Sequence, residues 1–241
     1  MNNARDPIAH IELHSDLTHN SKLNWLRASV LGANDGIVSI SAVIVGVAGA
    51  DVPKSFILIA GVASLVAGAL SMAVGEYVSV STQKDTEKAL LEKERLELLT
   101  VPEEELEELS MIYEKKGLSP ETAKIVAKEL TIHDAFAAHV DAELGINPND
   151  LANPFHAAYA SGLAFLAGAM IPIVAILLSP PSLYVPMTFV AVVVALIITG
   201  SLSAHAGGAS KVKATIRVVL GGVLAMIVTF GIGKLFGIAG I

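Results

Sequence analysis

Three side chains stand where chemistry is costly and therefore informative. Asp35 lies in Asn34-Asp35-Gly36, inside the apolar run from Ala28 to Ala50, and Glu76 lies inside the next apolar run, four residues after Met72. A carboxylate within a membrane-length helix costs roughly 2.5–3.5 kcal/mol on insertion scales, and it turns toward a bundle interior or an ion path rather than lipid. At about 1.5 Å per residue, Asp35 sits about 12 Å, Met72 about 15 Å and Glu76 about 9 Å from the same membrane face. Met72 and Glu76, spaced i, i+4, share a helix face. Carboxylate oxygens with one thioether suit a borderline divalent ion such as Fe²⁺ better than Mg²⁺ or Ca²⁺. The competing reading makes Met72 lipid-facing filler and lets Glu76 snorkel to the interface; Asp35 is too deep for that.

A second set is carboxylate-rich and lies outside the apolar runs. Glu94 and Glu97 are i, i+3 on one charged helical stretch, and Glu105 and Glu108 are i, i+3 on the next. A short turn between these stretches would oppose the two pairs, giving a hard oxygen site for Fe²⁺, Mn²⁺ or a similar ion. His139 and Glu143 follow at i, i+4, and an imidazole with a carboxylate could complete that site. Solvated helix faces and an ordinary His–Glu surface contact are the bland alternatives. His10, His14 and His19 read as part of a disordered tail.

Five stretches must position these groups. Leu26–Ala50, Phe56–Ser81, Phe155–Leu178, Leu183–Ala204 and Ala214–Phe236 each hold about 20 or more mostly apolar residues, enough to cross a hydrocarbon core of about 30 Å. Hydrophobic residues make up 53% of the chain and charged residues only 16%, which favours a membrane protein over a soluble domain. Between Thr82 and Pro154 there are 17 acids against 8 bases, net −9, while the remainder holds 6 acids against 8 bases, net +2. An acidic water-soluble block is thus inserted into a nearly charge-free frame. The expected order is a tail over residues 1–25, spans one and two over 26–81, the acidic helical block over 82–154, and spans three to five over 155–241.

The second span has no breaker after Ser81, so it is expected to continue as one helix to about Leu99. Pro102 suits a helix start and Gly117 its stop. Ser119-Pro120-Glu121 opens another helix, with a break expected near Thr131. Arg5, Lys22 and Arg27, the acidic block, and Lys211, Lys213 and Arg217 fall on one side, whereas only Lys54 and Lys234 are bases of the other. The excess of bases places the N-terminus and the insert in the cytosol and the C-terminus outside. With no cleavable signal and no organelle-targeting stretch, a prokaryotic inner membrane is the expected location. Gly32-x-x-x-Gly36 is a close-approach motif, often used between protomers. The absence of cysteine excludes disulfides, thiolate zinc sites and iron–sulfur clusters. No Walker loop, GxSxG, HExxH or basic–aromatic stripe supports ATP hydrolysis, hydrolytic enzymology or nucleic-acid binding.

The residues from Trp25-Leu26-Arg27 through Gly32-Ala33-Asn34-Asp35-Gly36 to Ser39 resemble the opening of the vacuolar iron transporter family, bacterial members included. Ser71-Met72-Ala73-Val74-Gly75-Glu76-Tyr77-Val78-Ser79 resembles that family's second-helix motif. The resemblance covers nearly the whole chain from about Asn24. It implies a homodimeric proton-coupled antiporter that moves Fe²⁺, often with Mn²⁺, out of the cytosol, with Asp35, Met72 and Glu76 lining the path. It also implies that Glu94, Glu97, Glu105, Glu108 and Glu143 hold metal in the insert. His139-Val140 stands where plant members carry methionines. The expectation is therefore an all-α membrane protein with five spanning helices and a helical cytosolic insert, with no resident cofactor and no covalent chemistry. Its partners would be divalent metal ions, protons, the lipid bilayer and a second copy of the chain. A carboxylate ferroxidase on a membrane anchor is disfavoured, because the insert lacks paired Glu-x-x-His motifs, and the chief rival is a membrane-anchored metal-binding or sensing protein. Acids inside the anchor argue against that, because a sensor has no use for them.

Overall fold

The computed structural model describes residues 19–208 and 210–239. His10 and His14 lie outside these residues, and His19 begins the first helix. The described chain is all-helical: α1 His19–Gly49, α2 Lys54–Thr100, α3 Pro102–Lys115, α4 Pro120–His139, α5 Pro154–Leu178, α6 Tyr184–Ala206 and α7 Lys211–Ala239. A five-residue π-helical turn, Val140–Leu144, continues α4. Five of these helices are long and apolar enough to cross a membrane, so the protein is a multi-pass membrane protein. Two compact units result. One contains Thr82–Ala152, the other Asn24–Ser81 with Asn153–Ile241. The uninterrupted α2 contributes to both.

In the membrane unit, α1 is the central helix because two of its faces are apolar. Ile40 and Ile44 pack with Ile57 and Ala69 of α2 and with Phe165, Ala169, Ile173 and Ile176 of α5. Ile37 and Val45 pack with Val192, Ala195 and Leu196 of α6 and Met226 of α7. Large side chains such as Ile59, Leu70, Val190 and Leu224 point outward, as they do where the solvent is lipid. The close approach of α1 and α5 needs glycine: a Cβ at Gly32 would meet the carbonyl of Ser161, and one at Gly36 would meet that of Phe165. The Gly32–Gly36 motif therefore acts within the chain, where the sequence had suggested a contact between protomers. It brings the backbone around Asp35 against α5.

The turn from α1 to α2 is tight. Asp51 adopts φ 57° there, and Lys234 holds its carboxylate at 2.7 Å. Lys54 donates to the carbonyl of Leu177 at 2.9 Å.

In the acidic unit, the expected helix signals are realised. Pro102 occupies the first turn of α3, Gly117 stops the chain at φ +105°, and Ser119 accepts from the backbone N–H of Thr122 to cap α4. Leu91, Leu109, Ala123, Ala127, Val140 and Ala152 are its buried apolar residues. The break in α4 falls at Asp134 (φ −162°, ψ 98°), three residues beyond the expected Thr131. Asp134 is itself the reason: its Oδ1 accepts from the N–H of Ala137 at 2.9 Å and restarts the helix as a cap does.

Candidate metal centre

Three local features of the acidic unit converge on His139. The restart at Asp134 sets the direction of the last turns of α4. Phe136 then packs under the guanidinium of Arg95, with 4.7 Å between the Arg95 Cζ and the ring centroid. After His139 the backbone widens into the π turn, which ends at Gly145 in the left-handed region (φ 60°). Single π turns recur at functional sites because they re-aim side chains. Here the turn carries Glu143.

His139 is fully buried, as is Val140 next to it. Its Nδ1 lies 3.0 Å from Oε1 of Glu94 on α2 and 3.6 Å from Oε2 of Glu105 on α3. Neither approach has hydrogen-bond geometry: Nδ1 and Nε2 of His139 and Oε1 of Glu94 are all buried without a hydrogen-bond partner. Orphaned buried polar atoms are rare and costly. Ligand atoms of Glu94, Glu105, His139 and Glu143 lie within 4.8 Å of one another, the only such group of three or more among the described residues. Three are buried and Glu143 is exposed, so the group has one open side. A divalent cation would satisfy the orphaned atoms and neutralise crowded carboxylates together, and the mixed nitrogen–oxygen donor set suits a transition metal.

The electrostatics agree. Burial, then the charges of Glu143 and Glu105, push the Glu94 carboxyl up to about 7. Burial also raises Glu105, helped by Glu108 and Glu97. Burial lowers His139, against the pull of Glu143 and Glu108, which favours the neutral ring that a metal requires. Of the six insert residues singled out in the sequence, four meet. The other two do not join them: Glu97 pairs with Lys93 at 2.8 Å, and Glu108 is exposed. Their charges still act on Glu105.

The membrane acids are arranged differently. Asp35 and Met72 are half-buried, and Met72 packs against the apolar cluster around Phe165. Glu76 is mostly buried at its side chain and faces Arg27 of α1 at 3.4 Å. No ion pair or hydrogen bond joins Asp35 to Glu76 among the described residues. Asn34 accepts from the hydroxyl of Thr199 on α6 at 2.8 Å, and this ties the residue beside Asp35 to a third helix. Sequence reasoning used Arg27 only for orientation and missed its pairing. The signal available was position: Arg27 opens the first span and Glu76 nears the end of the second, so antiparallel spans bring them to the same end.

Residues 26–234 match the family model described as the VIT family. The chain belongs to the VIT family. Its relatives include a vacuolar iron transporter of Acanthamoeba castellanii, 46% identical over 212 residues, covering 88% of this chain and 78% of the relative. Vacuolar iron transporter homolog 1 of Oryza sativa subsp. japonica is 35% identical over 222 residues, 92% of this chain and 78% of its own length. Vacuolar iron transporter homolog 2 of Arabidopsis thaliana is 34% identical over 224 residues, with coverage of 92% and 90%. These relatives of the VIT chain come from an amoeba and from plants, and they lend no support to the bacterial affiliation expected from sequence. Both candidate clusters, Asp35–Glu76 and Glu94–Glu143, lie within the span that matches the VIT model.

Proposed function

We infer that this VIT-family protein transports divalent transition-metal ions, Fe²⁺ and Mn²⁺ first among them, out of the cytosol in exchange for protons. It is a transporter rather than an enzyme, since nothing in this reading makes or breaks a covalent bond. The observation that carries the reading is the Glu94–Glu105–His139–Glu143 group, three of its members buried, with its unsatisfied ligand atoms, in a chain related to named iron transporters. In this reading the group collects metal on the cytosolic side, with Glu97 and Glu108 adding negative charge around it. Asp35, Met72 and Glu76 offer the ion oxygens and a thioether within the membrane. Carboxylates bind either a proton or a metal, so the same groups can release one as they take the other. The resemblance to the family adds a homodimer, which the mass of the purified protein in lipid nanodiscs tests.

The deciding experiment is flux into proteoliposomes loaded with a metal-sensitive dye, using Fe²⁺ and Mn²⁺ separately. An imposed pH gradient is expected to drive metal against its own gradient, and metal movement is expected to change lumenal pH. Metal binding without any flux would favour the anchored sensor. Flux indifferent to the pH gradient would favour a channel.

A further inference from the structure

One end of the α6–α7 pair carries a feature that metal transport does not use. Ile197 and Ser201 of α6 and Lys211, Thr215, Ile216 and Leu220 of α7 line a groove of about 460 Å³. The hydroxyls of Ser201 and Thr215 lie 3.1 Å apart and satisfy each other, which leaves the walls apolar. From Lys211 to Leu220 the groove follows nine residues of helix, about 13–14 Å at the usual helical rise. That is close to half of a hydrocarbon core of about 30 Å, the depth of one leaflet.

The charge lies in the first two turns of α7, with Arg217 about 9 Å further along the helix than Lys211. Lys211 lines the mouth, and exposed Lys213 and Arg217 stand on the adjoining face of the same helix. None of the three has an ion-pair partner among the described residues. Two of the membrane unit's three described acids are engaged elsewhere, Asp51 with Lys234 and Glu76 with Arg27, and Asp35 lies on α1. An excess of bases on this side follows from orientation alone. An apolar trough of leaflet depth beneath them does not. A second copy of the chain would bring the same three bases against themselves, and a small anion would have no use for the trough.

We propose that this groove is a binding site for an anionic glycerophospholipid. One acyl chain lies between α6 and α7, the phosphate rests against Lys211, and Arg217, whose side chain leans back toward the helix N-terminus, adds positive charge from a turn and a half deeper with Lys213 on the same face. The site is independent of the metal reading and stands or falls without it.

Native mass spectrometry of the full-length protein in detergent tests it. The probes are dioleoylphosphatidylserine, dioleoylphosphatidylcholine and chain-free glycerol phosphate. Phosphatidylserine is expected to bind more tightly than phosphatidylcholine, and glycerol phosphate is expected not to compete. Lys211→Gln and Arg217→Gln should each weaken phosphatidylserine binding about fivefold, the effect of removing one base near an anionic headgroup. Ile216→Trp, which fills the groove and leaves every charge in place, should weaken it at least as much. Equal binding of the two lipids, or full binding by Ile216→Trp, overturns the proposal. So does competition by glycerol phosphate, since a headgroup-only site would then explain the bases. If the charge variants fail to insert, Ile216→Trp and the two-lipid comparison decide alone.

Discussion

The protein keeps its acids in two settings that differ in nearly every physical respect. In the insert, Glu94, Glu105 and Glu143 converge with His139 on one point and crowd each other. In the membrane, no hydrogen bond or ion pair joins Asp35 to Glu76 among the described residues, and Glu76 faces Arg27 at 3.4 Å. The first setting suits retention, because several donors share one ion. The second suits passage, because conduction requires binding favourable enough to enter and weak enough to leave. The difference teaches that counting carboxylates does not identify a binding site. Their convergence and the unsatisfied atoms they leave do. Substitutions in the two settings should therefore separate cleanly, and the largest effect belongs to the membrane.

Asp35→Asn is expected to reduce proteoliposome flux of Fe²⁺ and Mn²⁺ to background while metal binding to the insert persists. The amide keeps the shape and the local packing but neither holds a divalent ion strongly nor exchanges a proton. Size-exclusion profiles of variant and parent would establish folding. Wild-type flux in a well-folded Asp35→Asn protein would remove Asp35 from the path. A control on the fold itself is Gly36→Leu. Its side chain would meet the Phe165 backbone and force α1 from α5, at a cost of about 1–3 kcal/mol or more, seen as lost thermal stability rather than as lost binding.

Next in size is Glu94→Gln, which should act in opposite directions on binding and stability. Metal affinity measured by calorimetry is expected to fall at least about tenfold, as removal of a ligand does. The metal-free protein should at the same time become more stable near pH 8, by on the order of 1–2 kcal/mol after allowing for solvent at the open Glu143 side. The sign follows from the raised carboxyl. A group whose folded pKa is about 7, against 4.5 unfolded, favours the fold when protonated and loses that contribution as pH rises through about 7. His139 works the other way. Its lowered pKa contributes stability above its unfolded value, 6.5, and that is lost as pH falls through the folded value. A Glu94→Gln protein that binds metal normally would reduce the cluster to ordinary packing.

The same linkage sharpens the comparison through pH. Metal must displace the proton that Glu94 holds, so affinity at the insert should drop between pH 8 and pH 6, and Glu94→Gln should flatten that slope. A chelator added at pH 8 should destabilise the metal-loaded parent protein but hardly affect Glu94→Gln.

Much of this was legible in the sequence, and the illegible parts share a cause. The five spans follow from run length, and the 47-residue α2 follows from a stretch without a breaker after Ser81. Glu94 and Glu105 could be named as candidates, but so could Glu97 and Glu108, because i, i+3 partners look alike in a string. They are rotated by about 60° on the helix, and only tertiary packing decides which member turns inward. The π turn bearing Glu143 carries no sequence mark. The break at Asp134 had one, an Asp three residues before an apolar turn, but no Pro or Gly accompanied it. The partner of Gly32 and Gly36 was open too, since small residues permit close approach without naming the helix that approaches.

The smallest expected effect concerns Arg27, and it tests why the membrane acids are not crowded. Its guanidinium is largely exposed at 61%, against 12% for the Glu76 side chain, and the two meet at 3.4 Å. With the base largely in water, this 3.4 Å pair is worth on the order of 1 kcal/mol or less, so an arriving divalent ion can displace the base at little cost. Arg27→Gln should therefore lower the half-saturating metal concentration by up to about fivefold, the equilibrium factor for that energy, and leave maximal flux near the parent value. Arg27→Lys keeps the charge and should keep the parent half-saturation. High salt should shrink the difference between parent and Arg27→Gln, because the pair is open to screening. A large fall in maximal flux in both variants would instead make Arg27 a structural tie between α1 and α2. Identical half-saturation in all three proteins would mean that Glu76 does not take up the ion from the cytosolic side, and the path would then begin at Asp35.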